Sequence, residues 1–273
     1  MTPIEKSTIL ITGATDGLGQ GIALDLAAKG ATVLLHGRDP ERIARTVDAI
    51  RAQTPSARVR TYRADLASLA DVRALAKAVS EGEPRLDVLV NNAGIGANVP
   101  GGGKRMTSED GHELRFAVNY LSHWLLTRLL LPTLKTSAPS RIVNVSSAGQ
   151  APIDFDDPMM ITHGYNGVRA YCQSKLAQIL STVDLAEELA GSGVTVTALH
   201  PATYMPTKIV PSPISTLEEG VDATVRLVAD PSLDHVSGRY FDGVDETRAN
   251  AQAYDPSARR RLRELSEKLS SRA

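Results

Sequence analysis

Thr8-Ile9-Leu10-Ile11-Thr12-Gly13-Ala14-Thr15-Asp16-Gly17-Leu18-Gly19 is the stretch that decides the fold. Its first part, Thr8 to Thr12, is short, apolar and β-branched, which predicts a buried strand. The rest is glycine-rich, and Ile22, Ala23, Leu26 and Ala27 then recur at helical spacing until Gly30. A strand, a glycine turn and a helix in that order are the setting in which a glycine motif holds a dinucleotide. Gly13 permits the tight turn, Gly17 leaves no Cβ between backbone and phosphate, and Gly19 lets the helix pack close to the sheet. The helix then turns free N–H groups and its positive dipole end toward a pyrophosphate. Thr15, Asp16 and Leu18 lie in the same turn and complete the candidate cofactor-binding loop.

Outward from this unit, strands and helices alternate. Thr32 to His36 predicts a second strand, ending at His36-Gly37-Arg38-Asp39. In a dinucleotide site the end of that strand meets the adenosine ribose, where an acid binds the 2′-hydroxyl of NAD. Gly37 leaves that position empty and Arg38 follows it. A guanidinium suits a 2′-phosphate, so the reading is NADP, with NADPH preferred over NADH. Asp39-Pro40 predicts a helix start, and the helix runs to about Gln53. Val59 to Arg63 is a third strand, followed by Ala64-Asp65-Leu66. A helix from Ser68 to Val79 follows, with Ser68 and Asp71 resembling a capping box.

Leu86 to Val90 predicts a fourth strand, leading into Asn91-Asn92-Ala93-Gly94, a tight turn that reads as a wall beside the cofactor. A long helix is expected from about Ser108 to Leu134. It holds Asn119, an unfavourable residue mid-helix that is either a surface amide or a partly buried functional one. Ile142 to Val145 is strand five, ending at Ser146-Ser147. Strand six, Val194 to Leu199, ends at His200-Pro201. A helix from Leu217 to Val228, a short last strand at Tyr240-Phe241 and an amphipathic terminal helix from Pro256 complete the chain. The expected class is α/β: one Rossmann-type domain over residues 1–273, a doubly wound parallel sheet with helices on both faces. In such sheets ligands bind beyond the strands' carboxyl ends. The irregular stretches 98–106, 148–168 and 203–215 are the candidate substrate loops, and 148–168 is expected to rim the pocket and move on binding.

Tyr171-Cys172-Gln173-Ser174-Lys175 sets a phenol and an ammonium four residues apart on a helix expected to reach Ala190. Positions i and i+4 share a helical face. The ammonium is therefore expected to lower the phenol's pKa and ready it for proton exchange with an alcohol or carbonyl. Cys172, the single cysteine, reads as a packed thiol and excludes an internal disulfide.

Composition narrows the partners. A net charge of −1 gives no case for nucleic acid or an anionic membrane surface. No apolar run reaches the ~18 residues of a membrane span and no signal peptide is visible, so a soluble, cytoplasmic protein with no membrane partner is expected. No metal site is suggested.

Thr12-Gly13-x-x-x-Gly17-x-Gly19, Asp65-Leu66, Asn91-Asn92-Ala93-Gly94, Asn119, Ser147 and Tyr171-x-x-x-Lys175 occur in this order, each after the appropriate element. Together they resemble the short-chain dehydrogenase/reductase family over nearly the whole chain. Phe116-Ala117-Val118-Asn119-Tyr120 and Ala170 to Ala177 resemble its retinol dehydrogenase-like branch, as does the gap of 24 residues between Ser147 and Tyr171 (171 − 147 = 24).

The resemblance implies a small carbonyl or alcohol substrate and NADP. It implies Tyr171 as proton donor or base, Lys175 on the nicotinamide ribose, Ser147 on the substrate oxygen and Asn119 holding a relay water. It also implies Asp65 and Leu66 at the adenine, and Asn92, Ala93 and Gly94 along the cofactor. Pro201 and Thr207 would lie at the carboxamide, although Ala202 stands where relatives carry glycine. Homodimers or homotetramers built on the helices of Tyr171 and Asn119 are a further implication, with Trp124, Leu125, Leu126, Leu129, Ile179, Leu180 and Val183 as the apolar face. Two other readings stay open: a non-catalytic cofactor sensor on the same fold, and an epimerase or dehydratase using the same tyrosine.

Overall fold

The four residues of β1 (Thr8–Ile11) are all buried, as a strand covered by helices on both faces must be. The computed structural model describes residues 2–98, 103–206 and 212–271. In it β1 pairs in parallel with β2 (Thr32–Gly37) and β4 (Val88–Asn91), and β2 pairs with β3 (Arg58–Arg63). β5 (Ser140–Val145), β6 (Val194–His200) and β7 (Arg239–Asp242) extend the parallel sheet. The order is β3-β2-β1-β4-β5-β6-β7-β8, with β8 (Asp245–Thr247) at the far edge.

Helices α1 (Gly17–Ala28), α2 (Pro40–Gln53) and α6 (Leu217–Ala229) cover one face. The other face carries α3 (Leu69–Gly82), α4 (Ser122–Thr136) and α5 (Gly167–Glu188). The expected α/β architecture is therefore present, with all the carboxyl ends of the parallel strands on one side. Residue Ile11 faces both Leu35 and Val90 across the sheet, so the turns after β1, β2 and β4 emerge together.

Four sequence expectations are corrected. The sheet is not wholly parallel: Gly243, at φ +58°, turns the chain back and β8 pairs antiparallel with β7. The helix expected from Ser108 starts later. Gly111 takes φ +80°, the Ser108 N–H bonds His112 O, and the Asp110 carboxylate accepts the Leu69 N–H that opens α3. Regular helix gives way to a π-helical turn, Phe116–Leu121, before α4 begins. The capping box at Ser68 is one-sided: Ser68 takes the Asp71 N–H, but Asp71 accepts from Asp65 N instead. Finally, Leu125, Leu126, Ile179, Leu180 and Val183 are buried in the chain's own core and are unavailable to a partner.

The last helix, α7 (Pro256–Ser270), docks along α5 rather than lying free in solvent. Leu262 enters the core, Arg259 and Arg263 pair with Glu187 and Asp184 at 2.7 and 3.0 Å, and the Ser266 and Tyr120 hydroxyls meet at 2.7 Å. No helix among the described residues is long and apolar enough to cross a membrane.

Candidate active site

The glycine turn is shaped by contacts that a side chain would block. Gly13 and Gly17 adopt φ +65° and +48°. A Cβ at Gly13 would lie 2.8 Å from Ala93 Cα, and one at Gly19 would lie 2.3 Å from Gly13 O. The turn is held from three sides. The Thr12 hydroxyl accepts the N–H groups of Asn92 and Ala93 at 2.9 and 3.0 Å. The Asn92 amide donates to Thr12 O at 2.9 Å. His36 Nδ1 accepts the Gly13 N–H at 3.1 Å while its Nε2 faces Ala64 O. Burial lowers the His36 pKa to about 4, so the ring is neutral at pH 7 and Nδ1 is free to accept.

At the start of α1, Asp16 caps the helix through the Gly17 N–H at 2.9 Å, and its second oxygen pairs with Arg42 at 2.5 Å. Beyond β2, Arg38 is largely exposed, with Asp65 at 3.6 Å. A Cβ at Gly37 would lie 2.6 Å from Thr15 Cγ2, so the usual position of a ribose-binding acid is sterically closed. Leu66 is buried beside Asp65. A mostly exposed cation beside a glycine turn is a fitting cradle for a phosphorylated dinucleotide.

Ser147, Tyr171, Lys175 and Asn119 come together past the ends of β4 and β5. Ser147 follows β5, its hydroxyl accepts the Gly149 N–H at 3.0 Å, and Tyr240 fixes its carbonyl at 3.1 Å. The Tyr171 ring and the Ser147 hydroxyl flank the same spot: a Cβ at Gly149 would lie 3.4 Å from Ser147 Oγ and 3.6 Å from Tyr171 Cε1. Lys175 Nζ lies 5.9 Å from the Tyr171 ring centroid and donates to Val145 O at 2.9 Å. The Asn119 amide holds both backbone groups of Ile95, at 2.8 and 3.1 Å, and donates to Ser174 at 3.0 Å. Asn119 is thus fully buried, not a surface amide. Gly94 faces both groups: a Cβ there would lie 3.4 Å from Asn119 Oδ1 and 3.6 Å from Lys175 Nζ.

The electrostatics differ from the expectation built on spacing. Burial raises the Tyr171 pKa, opposed by the nearby Ser147 hydroxyl. Burial also lowers Lys175 to about 7, because a desolvated ammonium is costly. The lysine is therefore no full-time cation, and the phenol keeps its proton at pH 7.

The segment from 148 to 168 starts at the site, as expected, but it is fastened rather than loose. Ala151 and Asp154 bond to the Tyr171 helix through Cys172 O and the Gln173 side chain, at 3.4 and 2.8 Å. The Asp157 carboxylate gathers the N–H groups of Ile161, Thr162 and His163. Cys172 is half-buried and unpaired, with burial raising its thiol pKa, which agrees with a packed thiol. Pro201 follows β6, and His200 reaches the Thr203 hydroxyl at 3.0 Å; Thr207 lies outside the described residues.

Sequence reasoning missed His36, Arg42 and His123. His123 lies one helical turn past Asn119 (123 − 119 = 4); its Nδ1 meets Asn119 O at 3.0 Å and its Nε2 meets the Thr12 hydroxyl at 3.2 Å. A carbonyl only accepts, so Nδ1 carries the proton and Thr12 donates to Nε2. The i+4 spacing of His123 from Asn119 was the available signal.

Residues 7–215 match the short chain dehydrogenase family. Retinol dehydrogenase 13 of Mus musculus is 42% identical over 279 residues, 95% of this chain and 82% of the relative. Retinol dehydrogenase 14 of Homo sapiens is 39% identical, covering 95% of this chain and 85% of the relative. Among solved structures, an uncharacterized protein from Mycobacterium paratuberculosis is similar at TM-score 0.79 and 32% identity, over 98% of this chain and 95% of that one. The Pseudomonas aeruginosa RhlG/NADP active-site complex is similar at TM-score 0.70 and 28% identity, over 89% and 97%. A glycine turn, a buried lysine and a tyrosine–serine pair thus stand in a chain that aligns with these relatives almost end to end, and the protein belongs to the short-chain dehydrogenase family of oxidoreductases.

Proposed function

We propose that the protein interconverts a carbonyl and an alcohol with NADP(H), with Tyr171 giving the proton in reduction and taking it in oxidation. The observation that carries this reading is that Tyr171 and the Ser147 hydroxyl flank one spot at Gly149, beside Lys175 and Asn119 at the carboxyl ends of the strands. Bound NADPH supplies the hydride. The residues that would hold it are the turn from Gly13 to Gly19, Arg38 at the 2′-phosphate, Asp65 and Leu66 at the adenine, and Asn92 to Gly94 along the ribose. Lys175 and Pro201 would serve the nicotinamide end. NADP is favoured over NAD because Gly37 has no room for an acid and Arg38 is exposed beside it.

Tyr171, kept protonated by burial, is a proton donor at neutral pH. Ser147 holds the substrate oxygen and supports its developing charge. Asn119 fixes Ile95 and so the wall of the cleft. Met106, Ile161, Val168, Tyr204 and Ile214 are exposed and fall in or at the border of the three candidate substrate loops. Apolar side chains concentrated there support a lipophilic substrate, in keeping with the names of the relatives.

The test is cofactor consumption with NADPH and with NADH against retinal and a panel of aldehydes, ketones and quinones, on wild type and Arg38→Ala. Turnover of a lipophilic carbonyl with NADPH is expected, and Arg38→Ala should weaken NADPH while sparing NADH. Equal losses for both cofactors, or a wild-type preference for NADH, would reject the cofactor assignment. No carbonyl turnover, with product analysis showing epimerised or dehydrated sugar instead, would reject the reaction.

A further inference from the structure

Arg115 has no exposed surface, and neither its own element nor the proposed chemistry accounts for it. Its guanidinium donates to Gly96 O at 3.0 Å, to Ala97 O at 3.1 and 2.7 Å, and to the Tyr165 hydroxyl at 2.6 Å. Tyr165 in turn donates to Glu113 at 2.9 Å, and the other Glu113 oxygen accepts the Phe116 N–H at 2.8 Å, at the start of the π-helical turn that carries Asn119. Glu113 is also buried, and Arg115 stands 3.5 Å from it. Burial and the Glu113 carboxylate push the Tyr165 phenol up to about 12, so it stays a donor.

A buried charge pair is costly, and apolar residues of similar volume often replace one without loss of stability. Apolar residues cannot hold two carbonyls of an irregular segment, and that is what this fork does. The segment it holds follows β4, where Asn119 already grips Ile95. Its far end abuts α5: a Cβ at Gly167 would lie 2.4 Å from Ala97 O. Tyr165 sits two residues before Gly167 (167 − 165 = 2), immediately ahead of Asn166, whose side chain caps α5 through the Arg169 N–H. One guanidinium therefore ties the cleft wall to the first turn of the helix bearing Tyr171.

We propose that Arg115, clasped by Glu113 and Tyr165, is a positioning residue: it sets the spacing between the wall at 93–97 and the start of α5, and thereby where Tyr171 stands over the cleft. The proposal rests on the reading of Tyr171 as the proton-exchanging group.

The test uses Arg115→Lys, which keeps the charge but loses the fork, and Tyr165→Phe, which removes one hydroxyl. Two readouts are taken on full-length protein with NADPH bound: amide hydrogen exchange, and kcat and KM with the best carbonyl from the panel above. Expected is exchange accelerated about tenfold or more at 93–97 and 167–171 together, unchanged in β1 to β3, and kcat down about tenfold or more with NADPH affinity within about threefold. A merely structural role would instead speed exchange throughout and leave kcat per folded molecule unchanged. Unchanged exchange at 167–171, or kcat within about twofold of wild type in both variants, overturns the proposal. If Arg115→Lys does not fold, Tyr165→Phe decides alone by the same two readouts. Tyr171→Phe run alongside separates the two ideas. Turnover retained there rejects the reading of Tyr171, whereas turnover lost there but intact in Arg115→Lys and Tyr165→Phe rejects only the positioning role.

Discussion

Replacing Lys175 with Met should change how stability depends on pH, and the structure fixes both sign and window. Lys175 has an ordinary pKa of 10.5 and about 7 in the folded chain. Between those values the unfolded chain holds a proton that the folded chain has released. Stability therefore rises with pH across that window, by up to about 1.4 kcal/mol per pH unit for one proton. From pH 7 to pH 9 the gain is about 2 kcal/mol, since at pH 7 the folded lysine is still half protonated. Below about pH 6 both states are protonated and the slope vanishes. Met keeps the apolar stem and removes the titration. Urea unfolding of both proteins at pH 6, 7, 8 and 9 gives the difference in stability, with other titrating groups cancelling. The wild-type stability should gain about 2 kcal/mol on the variant between pH 7 and 9, roughly thirtyfold in the unfolding constant, and only about 0.4 kcal/mol between pH 6 and 7. Parallel curves would show that Lys175 keeps its charge in the fold, and the account of Tyr171 as an unassisted, protonated phenol would fall with it.

Tyr171→Phe should lower single-turnover rates by about 10²–10⁴ while NADPH affinity, read by fluorescence, stays within about threefold; a variant keeping more than about a tenth of wild-type rate excludes Tyr171 as the proton donor. Burial lowers His36 to about 4 and His123 to about 3, so their stabilisation is complete above pH 6.5 and is lost as pH falls toward those values. Two protons taken up on unfolding make a slope of about 2.7 kcal/mol per pH unit near pH 5, and His36→Asn should halve it; equal slopes in urea titrations of both proteins would contradict this. Leu262→Ala should cost about 2–5 kcal/mol because α7 is part of the core, and a melting temperature unchanged by that substitution would mean α7 docks only loosely.

What was readable in the sequence was local. The helix from Asp39-Pro40 to Gln53 has its observed bounds because its cap and its proline are adjacent residues. The glycine turn, the double asparagine and the Tyr171 helix were legible for the same reason. What could not be read depends on contacts through space. The helix start at Ser108 fails because Asp110 is drawn to α3, 41 residues away in sequence. The spacing of Tyr171 and Lys175 gives their proximity but carries no information on desolvation, which holds the phenol protonated and leaves the lysine only partly charged. His36 and His123 act through Gly13, Thr12 and Asn119 backbone or hydroxyl groups, and a single sequence does not mark such partners. Arg115 reads as an ordinary polar residue of a long helix; only the fold encloses it.

The two edges of the sheet differ from its interior in a way that bears on crowding. An unpaired strand edge is a template for another strand. At one edge β3 presents Arg58, Arg60 and Arg63, all exposed. At the other, β8 is only Asp245, Glu246 and Thr247, again all exposed. Two copies meeting at like edges would set arginine against arginine, or acid against acid. Unlike edges attract, but the shortness of β8 limits that pairing to three residues. In concentrated solution the sheet therefore offers no long apolar margin on which fibrous growth could start.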